Sequence, residues 1–242
     1  MPTIPAILRE VQAALEREPY IDLHHHRLKV DVENGALVIE GEVGSVAAKK
    51  LALEHAAAVN GVRGIIDRLH VAPVERKQDG EILESLYRLL AEEPVLQRCV
   101  LRVWDKGRLE TRRKPDDERL GEIELKAEDG IVTLNGDIIS LSHKRLVGVI
   151  AWWTPGCRDV INGLEVIPPQ EDRDDEITDA VRLVLEKDPV VQADQITVST
   201  RNNIVTLRGL VPTHEQKRRA ESDTWCVFAV DKVINNIAVQ ER

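Results

Sequence analysis

At 242 residues the chain is too long for one ordinary core and suits two or three small domains; 43% hydrophobic and 31% charged residues exclude wholesale disorder. A net charge of −9 makes attraction to a phosphate backbone or an anionic bilayer a poor default, and 4 Trp, 2 Tyr and 1 Phe are too few for a base-stacking platform, so no nucleic-acid partner is expected. No apolar run approaches the roughly 20 residues that span a bilayer, and three cysteines without regular spacing (Cys99, Cys157, Cys226) argue against a disulfide framework. Glu10 and Glu16 interrupt the N-terminal stretch where a signal peptide needs apolar residues, so the chain as given reads as cytoplasmic, or as periplasmic if a leader has been removed.

In chain order, the first predicted element is a helix that stops at the acid-rich EREP before Pro19. An alternating strand (Leu28, Val30, Val32), the turn pair Asn34-Gly35 and a second strand running into Gly41 follow. Ser45 then caps a second helix, Gly61 ends it, and VRGIIDRLHV reads as a last strand. The second unit repeats this order. Ile82, Leu83, Leu86, Leu89 and Leu90 form a helical stripe stopped at AEEP (Pro94); Ile123, Leu125 and Ala127 alternate; Asp129-Gly130 turns the chain toward Gly136. Ser140 caps a helix carrying Leu146, Val149 and Ile150, which Gly156 ends before CRDVINGLEV. In the third unit Asp174 or Asp175 can cap the first helix and EKDP (Pro189) stops it. Ile196 and Val198, the turn Asn202-Asn203, Gly209, the cap Thr213, Ala229 in place of the helix-ending glycine, and VDKVINNIAV complete the copy.

The three copies align without a gap for about 30 residues, the extent expected of true repeats. The order is α-β-β-α-β. A right-handed crossover sets the third strand parallel to the second. Each unit is therefore expected as a two-layer α+β sandwich, a three-stranded mixed sheet covered on one face by two helices. The expected boundaries are 4–73, 79–168 and 173–240, joined by VERKQDG (74–80) and PPQEDRDD (168–175). Gly41, Gly136 and Gly209 should occupy equivalent elements.

The pattern turn-Gly-x-Val-x-Leu-x-Gly-x-Val, then a helix and Gly-Val-x-x-Val-x-Asn-x-Leu-x-Val, resembles the BON domain, named for bacterial osmotically inducible and nodulation proteins. IVTLNG with GCRDVINGLEV and IVTLRG with AVDKVINNIAV match best; in the first copy ALVIEG replaces the Val-Thr-Leu core and Asp67 stands where the others have Asn. The resemblance implies a non-enzymatic, cofactor-free binding module of bacterial envelope maintenance and of osmotic or other stress, with a phospholipid membrane surface or a protein partner as its ligand. All three units are acidic, with net charges of −3 (1–75), −2 (76–170) and −4 (171–242).

Several features compete for a functional role. About 20 extra residues in the second unit, roughly Asp105–Gly121, contain the densest basic point, Arg112-Arg113-Lys114. Such a polar insertion is expected to project as a removable hairpin or loop, and its basic triplet is a candidate contact for an acidic partner, lipid headgroup or nucleic acid. Trp152 and Trp153, adjacent on the last turn of a helix, diverge by about 100°. At least one of them must leave the sheet-facing stripe for a seam with another unit, a partner or lipid, and the intramolecular seam is the favoured reading. His24-His25-His26 with Asp22 reads as a surface loop rather than a metal site, because neighbouring side chains on an extended chain point apart. Ser142-His143 is no activated nucleophile, Gly61-Val-Arg-Gly64 precedes a strand unlike the loop of a KH domain, and EDRDDE (171–176) lacks calcium-loop spacing. No catalytic motif is present. The alternative reading is a small-ligand or cation sensor with sites between repeats.

Overall fold

The computed structural model describes residues 2–116 and 120–240. The chain up to Ala72 is one compact unit: α1 (Ile4–Arg17), β1 (Leu28–Glu33), β2 (Ala36–Val43), α2 (Val46–Ala57) and β3 (Ile65–Val71). From Pro73 on, a second unit contains two further copies of the order. The earlier one has α3 (Asp79–Glu92), β4 (Cys99–Asp105), β5 (Arg108–Arg113), β6 (Gly121–Glu128), β7 (Ile131–Ile138), α4 (Leu141–Trp153), β8 (Asp159–Asn162) and β9 (Glu165–Val166). The later one has α5 (Asp174–Lys187), β10 (Ile196–Arg201), β11 (Ile204–Val211), α6 (His214–Cys226) and β12 (Lys232–Val239). In each copy a hairpin (β1–β2, β6–β7, β10–β11) is extended by a parallel last strand (β3, β8 with β9, β12), so three α-β-β-α-β sandwiches stand in tandem.

Local chemistry sets these boundaries. The residue before each proline is driven to extended backbone, and Glu18, Glu93 and Asp188 all adopt it, ending α1, α3 and α5. Ser45, Ser140 and Thr213 accept the amide hydrogens of Ala48, His143 and Gln216 and so start α2, α4 and α6. Both residues of each hairpin turn have positive φ (Asn34-Gly35, Asp129-Gly130, Asn202-Asn203), the geometry that follows strand twist. Asp174 does not cap α5, and neither does Asp175: Arg173 is the N-cap, without a side-chain cap bond. The Asp174 carboxylate instead accepts the amides of Asn202 and Asn203 at 2.8 and 3.0 Å, holding the hairpin turn against the helix. Asp79 does the same for Asp129 and Gly130.

The strand glycines are equivalent. Gly41, Gly136 and Gly209 pair with Leu28, Ile123 and Ile196, the same place in each hairpin. All three have positive φ, and an added Cβ would sit 2.8, 2.1 and 2.0 Å from the backbone oxygens of Arg27, Glu122 and Gln195. A second tether ties the last strand to the second helix. Asn162 and Asn235 donate from Nδ2 to the carbonyls of Lys144 and Lys217, while their Oδ1 atoms accept the amides of Leu164 and Ile237. In the first copy Asp67 accepts the Leu69 amide but has no N–H to donate; Lys49, the counterpart of Lys144 and Lys217, replaces that bond with an ammonium 3.0 Å from Asp67 and 2.7 Å from the Leu69 carbonyl.

The inserted segment is not a free loop. Its first part belongs to a hairpin, β4–β5, whose turn is Lys106-Gly107. β4 adds parallel to β6, and its Cys99, Val100, Leu101 and Val103 are buried, so the second sheet is six-stranded. Asp117 and Glu118, also part of the predicted insertion, lie outside the described residues. Removing 105–121 would therefore strip an edge strand and uncover buried apolar surface, contrary to the expectation of a neutral deletion.

Gly136→Ala and Gly209→Ala are each expected to cost roughly 3 kcal/mol or more, from the steric overlap and the positive φ, and Gly41→Ala measurably less. Urea titrations of the three variants check the order.

Candidate functional site

The sequence candidates separate in space. Arg112 lies 5.5 Å from the Tyr87 ring centroid and pairs with Glu84 on α3. Arg113 turns the other way: Nε and Nη1 donate at 3.1 Å to the carbonyls of Cys99 and Ala91, and Nη2 donates to that of Leu96. Burial lowers its pKa from the ordinary guanidinium value. Arg113 thus closes the orphan carbonyls at the end of α3 and in the following 3₁₀ turn (Pro94–Leu96). Lys114 is exposed. The triplet is no single basic patch.

Trp152 is half-buried, and Trp153 is placed between repeats. Its Nε1 donates at 2.8 Å to Asp223 of α6, 70 residues away. Around it, α4 packs against α5 and α6, so the second and third repeats share a seam. Arg145, fully buried on α4, donates to the Phe228 carbonyl at 3.2 Å and pairs with Asp172; Lys187 pairs at 2.6 Å with the largely buried Glu93. Trp153 thus lies in an intramolecular seam, with its indole N–H spent on Asp223.

The seam also gathers acids. Asp188 and Asp223 are both buried, and one guanidinium serves both: Arg219 reaches Asp188 through Nε, with Asp223 3.6 Å away. Burial and the bond to Asp188 push Asp223 up to about 7. Burial opposes the charge of Asp188 too, but bonds from Asp223, Arg219 and the Val190 amide hold it below the usual carboxylate value. Sequence reasoning missed this pair. Its only local trace is an acid before Pro189 and another at the +14 position after Gly209.

The remaining candidates have structural roles. Asp22 accepts the His24 and His25 amides and pairs with His25 Nδ1 at 2.6 Å, a turn-closing arrangement. Among the described residues no group of three or more His, Cys, Asp or Glu could hold a metal ion. His143 meets Ser140, the helix cap, at 2.6 Å, not its neighbour Ser142. Burial pushes the Cys157 thiol up to about 12 and also raises that of Cys99, so neither is an activated thiolate.

The sheet faces turned away from the helices differ in charge. The outward positions of β1–β3 carry Lys29, Asp31, Glu33, Glu40, Glu42 and Arg68, with Arg68 bonded to Glu33 at 2.9 and 3.0 Å. Those of β6 and β7 carry Glu122, Glu124, Lys126, Glu128 and Asp137. On β10–β12 the outward positions are Thr197, Ser199, Arg201, Ile204, Thr206, Arg208, Leu210, Lys232, Ile234, Asn236 and Ala238, which include three cations and no carboxylate. Leu210 and Ile234 are 51% and 39% exposed there.

Fold and site define a class: tandem α-β-β-α-β repeats whose buried polar groups serve turns, caps and a seam. The family model that matches is the BON domain, over residues 5–73, 112–168 and 173–241, and the chain belongs to that family. The second match begins within β5, leaving α3 and β4 outside it. A search of curated proteins finds no match. Among solved structures, the C-terminal domain of CdsD, a structural protein of the type III secretion system of Chlamydia trachomatis, is similar at 14% identity over all of both chains, with a TM-score of 0.26. A second structure of CdsD is similar at 14% identity over 97% of this chain and 92% of that one, with a TM-score of 0.25. Likeness at this level has no bearing on function. Among the described residues no helix is long and apolar enough to cross a membrane.

Two sets of variants check these placements by thermal melts. Trp153→Phe keeps an aromatic ring, smaller than the indole, but removes a bond to a buried carboxyl and is expected to cost about 1–3 kcal/mol. Arg113→Ala should cost roughly 2 kcal/mol through three carbonyls left without their donor, while Arg112→Ala stays within about 0.5 kcal/mol, as exposed pairs do.

Proposed function

We propose that this chain is a non-enzymatic binding module of bacterial stress or envelope physiology, and that it docks on an anionic phospholipid surface through the open sheet face of its third repeat. One observation carries the reading: Arg201, Arg208 and Lys232 stand on that face among exposed Leu210 and Ile234, with no carboxylate at any outward strand position. Each cation near an anionic membrane contributes about 1 kcal/mol, and the apolar side chains add contact with the interface. With a whole-chain charge of −9, attraction is confined to this face, so binding is weak, oriented and sensitive to salt. Family membership supports a binding role over a catalytic one.

Flotation with phosphatidylglycerol-rich vesicles is the test. The full chain should float with anionic vesicles at low salt and not with phosphatidylcholine vesicles. Arg201→Glu with Arg208→Glu should reduce flotation about tenfold or more while the melt stays unchanged. Wild-type chain that stays at the bottom with both vesicle types would overturn the lipid reading and leave a protein partner for this face.

A further inference from the structure

Asp223 carries a group the fold does not satisfy as a carboxylate. Its Oδ1 accepts from Trp153 Nε1, but its Oδ2 is buried without a donor, and the buried Asp188 acts on the same carboxyl. A proton on Oδ2 converts this repulsive pair into a hydrogen bond, with Asp223 donating and Asp188 accepting. Arg219 supplies one positive charge for the two acids, through Nε to Asp188 and 3.6 Å from Asp223. The other groups near the site are accounted for. Trp153 of α4 offers a neutral N–H; Lys187 at the end of α5 is paired with Glu93; Cys226 of α6 acts on Arg219 and on the buried Cys157. With both acids ionised, the cluster would hold two negative charges against one guanidinium in a buried seam.

We propose that the Asp188–Asp223 pair is a proton-operated latch on the seam between the second and third repeats, closed while the two carboxyls share one proton and loosened when that proton leaves. The direction follows from linkage. Asp223 holds its proton in the folded state up to about 7, whereas an unfolded carboxyl releases it near 4. The stability this contributes is full below the unfolded value and is lost as pH rises through the folded one. Asp188, shifted the other way, keeps its contribution across that window and loses it only on strong acidification. The seam should therefore be tightest in mildly acid solution and should open towards alkaline pH, locally, because α4 and α6 meet there. The latch is independent of the lipid reading, since none of its residues lies on the open sheet face.

The test follows the Trp indole N–H signals of the full-length chain by NMR between about pH 5.5 and 8.5, with the Trp153 signal assigned from Trp153→Phe. The Trp153 signal should titrate as one proton with a midpoint near neutrality. Amide protection along the second half of α6, divided by the intrinsic exchange rate, should fall about tenfold or more across the same range. Asp223→Asn, whose amide donates to Asp188 at every pH, should abolish both changes. A Trp153 signal that does not move in the wild-type chain would overturn the proposal, with no variant needed. So would a titration that persists in both Asp223→Asn and Asp188→Asn.

Discussion

Helix α4 has to satisfy two cores at once, and the architecture of the C-terminal unit depends on that constraint. In an isolated sandwich the second helix buries one stripe against its own sheet, and α6 buries only Ala220, Asp223, Thr224 and Trp225. On α4, by contrast, Leu141, Arg145 and every residue from Leu146 to Ala151 are buried, because α5 and α6 of the next repeat cover its far side. Gly148 shows the tightness on the near side, where an added Cβ would come within 2.9 Å of the Asn162 amide. Burying polar groups this way is costly without partners, and Arg145 meets Asp172 and the Phe228 carbonyl while Trp153 meets Asp223.

That enclosure explains why polar groups collect at the seam. The acid before each proline first serves its own turn: Glu18, Glu93 and Asp188 accept the amides of Tyr20, Val95 and Val190. Each then needs a second partner, and the copies solve this differently. Glu18 meets His55 at 2.8 Å, Glu93 meets Lys187 across the seam, and Asp188 meets Arg219 together with Asp223. His55, Ile150 and Asp223 occupy the same repeat position, 14 residues after the strand glycine. One site thus holds an imidazole that meets the acid, an apolar filler or a second acid.

Much of the fold was legible because its determinants are local. Turn pairs with positive φ, caps one residue before a helix, prolines that end helices and glycines at a close backbone approach act within a few residues, and the repeat displayed each three times. The added strands were missed because counting from Pro94 to Asp129 measures the length of an insertion and not where it starts. CVLRV before the Lys106-Gly107 turn held the strand signal, with Cys99, Leu101 and Val103 on the buried side. The site was less legible. The Trp152-Trp153 adjacency showed that one ring must leave the stripe, yet nothing local says that the indole meets Asp223, since that contact spans 70 residues. Arg113 read as surface charge, because its carbonyl partners gather only when β5 pairs with β4.

The central claim is that enclosure of α4 makes the second and third repeats one cooperative structure. Native-state hydrogen exchange on the full chain, followed through increasing denaturant below the unfolding midpoint, measures this most directly. The account predicts that the most protected amides of β7, α4 and β11 converge on one opening free energy with the same denaturant slope. Exchange of β11 through a separate opening, at lower free energy and with a smaller slope than β7, would show that the third repeat folds on its own and would contradict it.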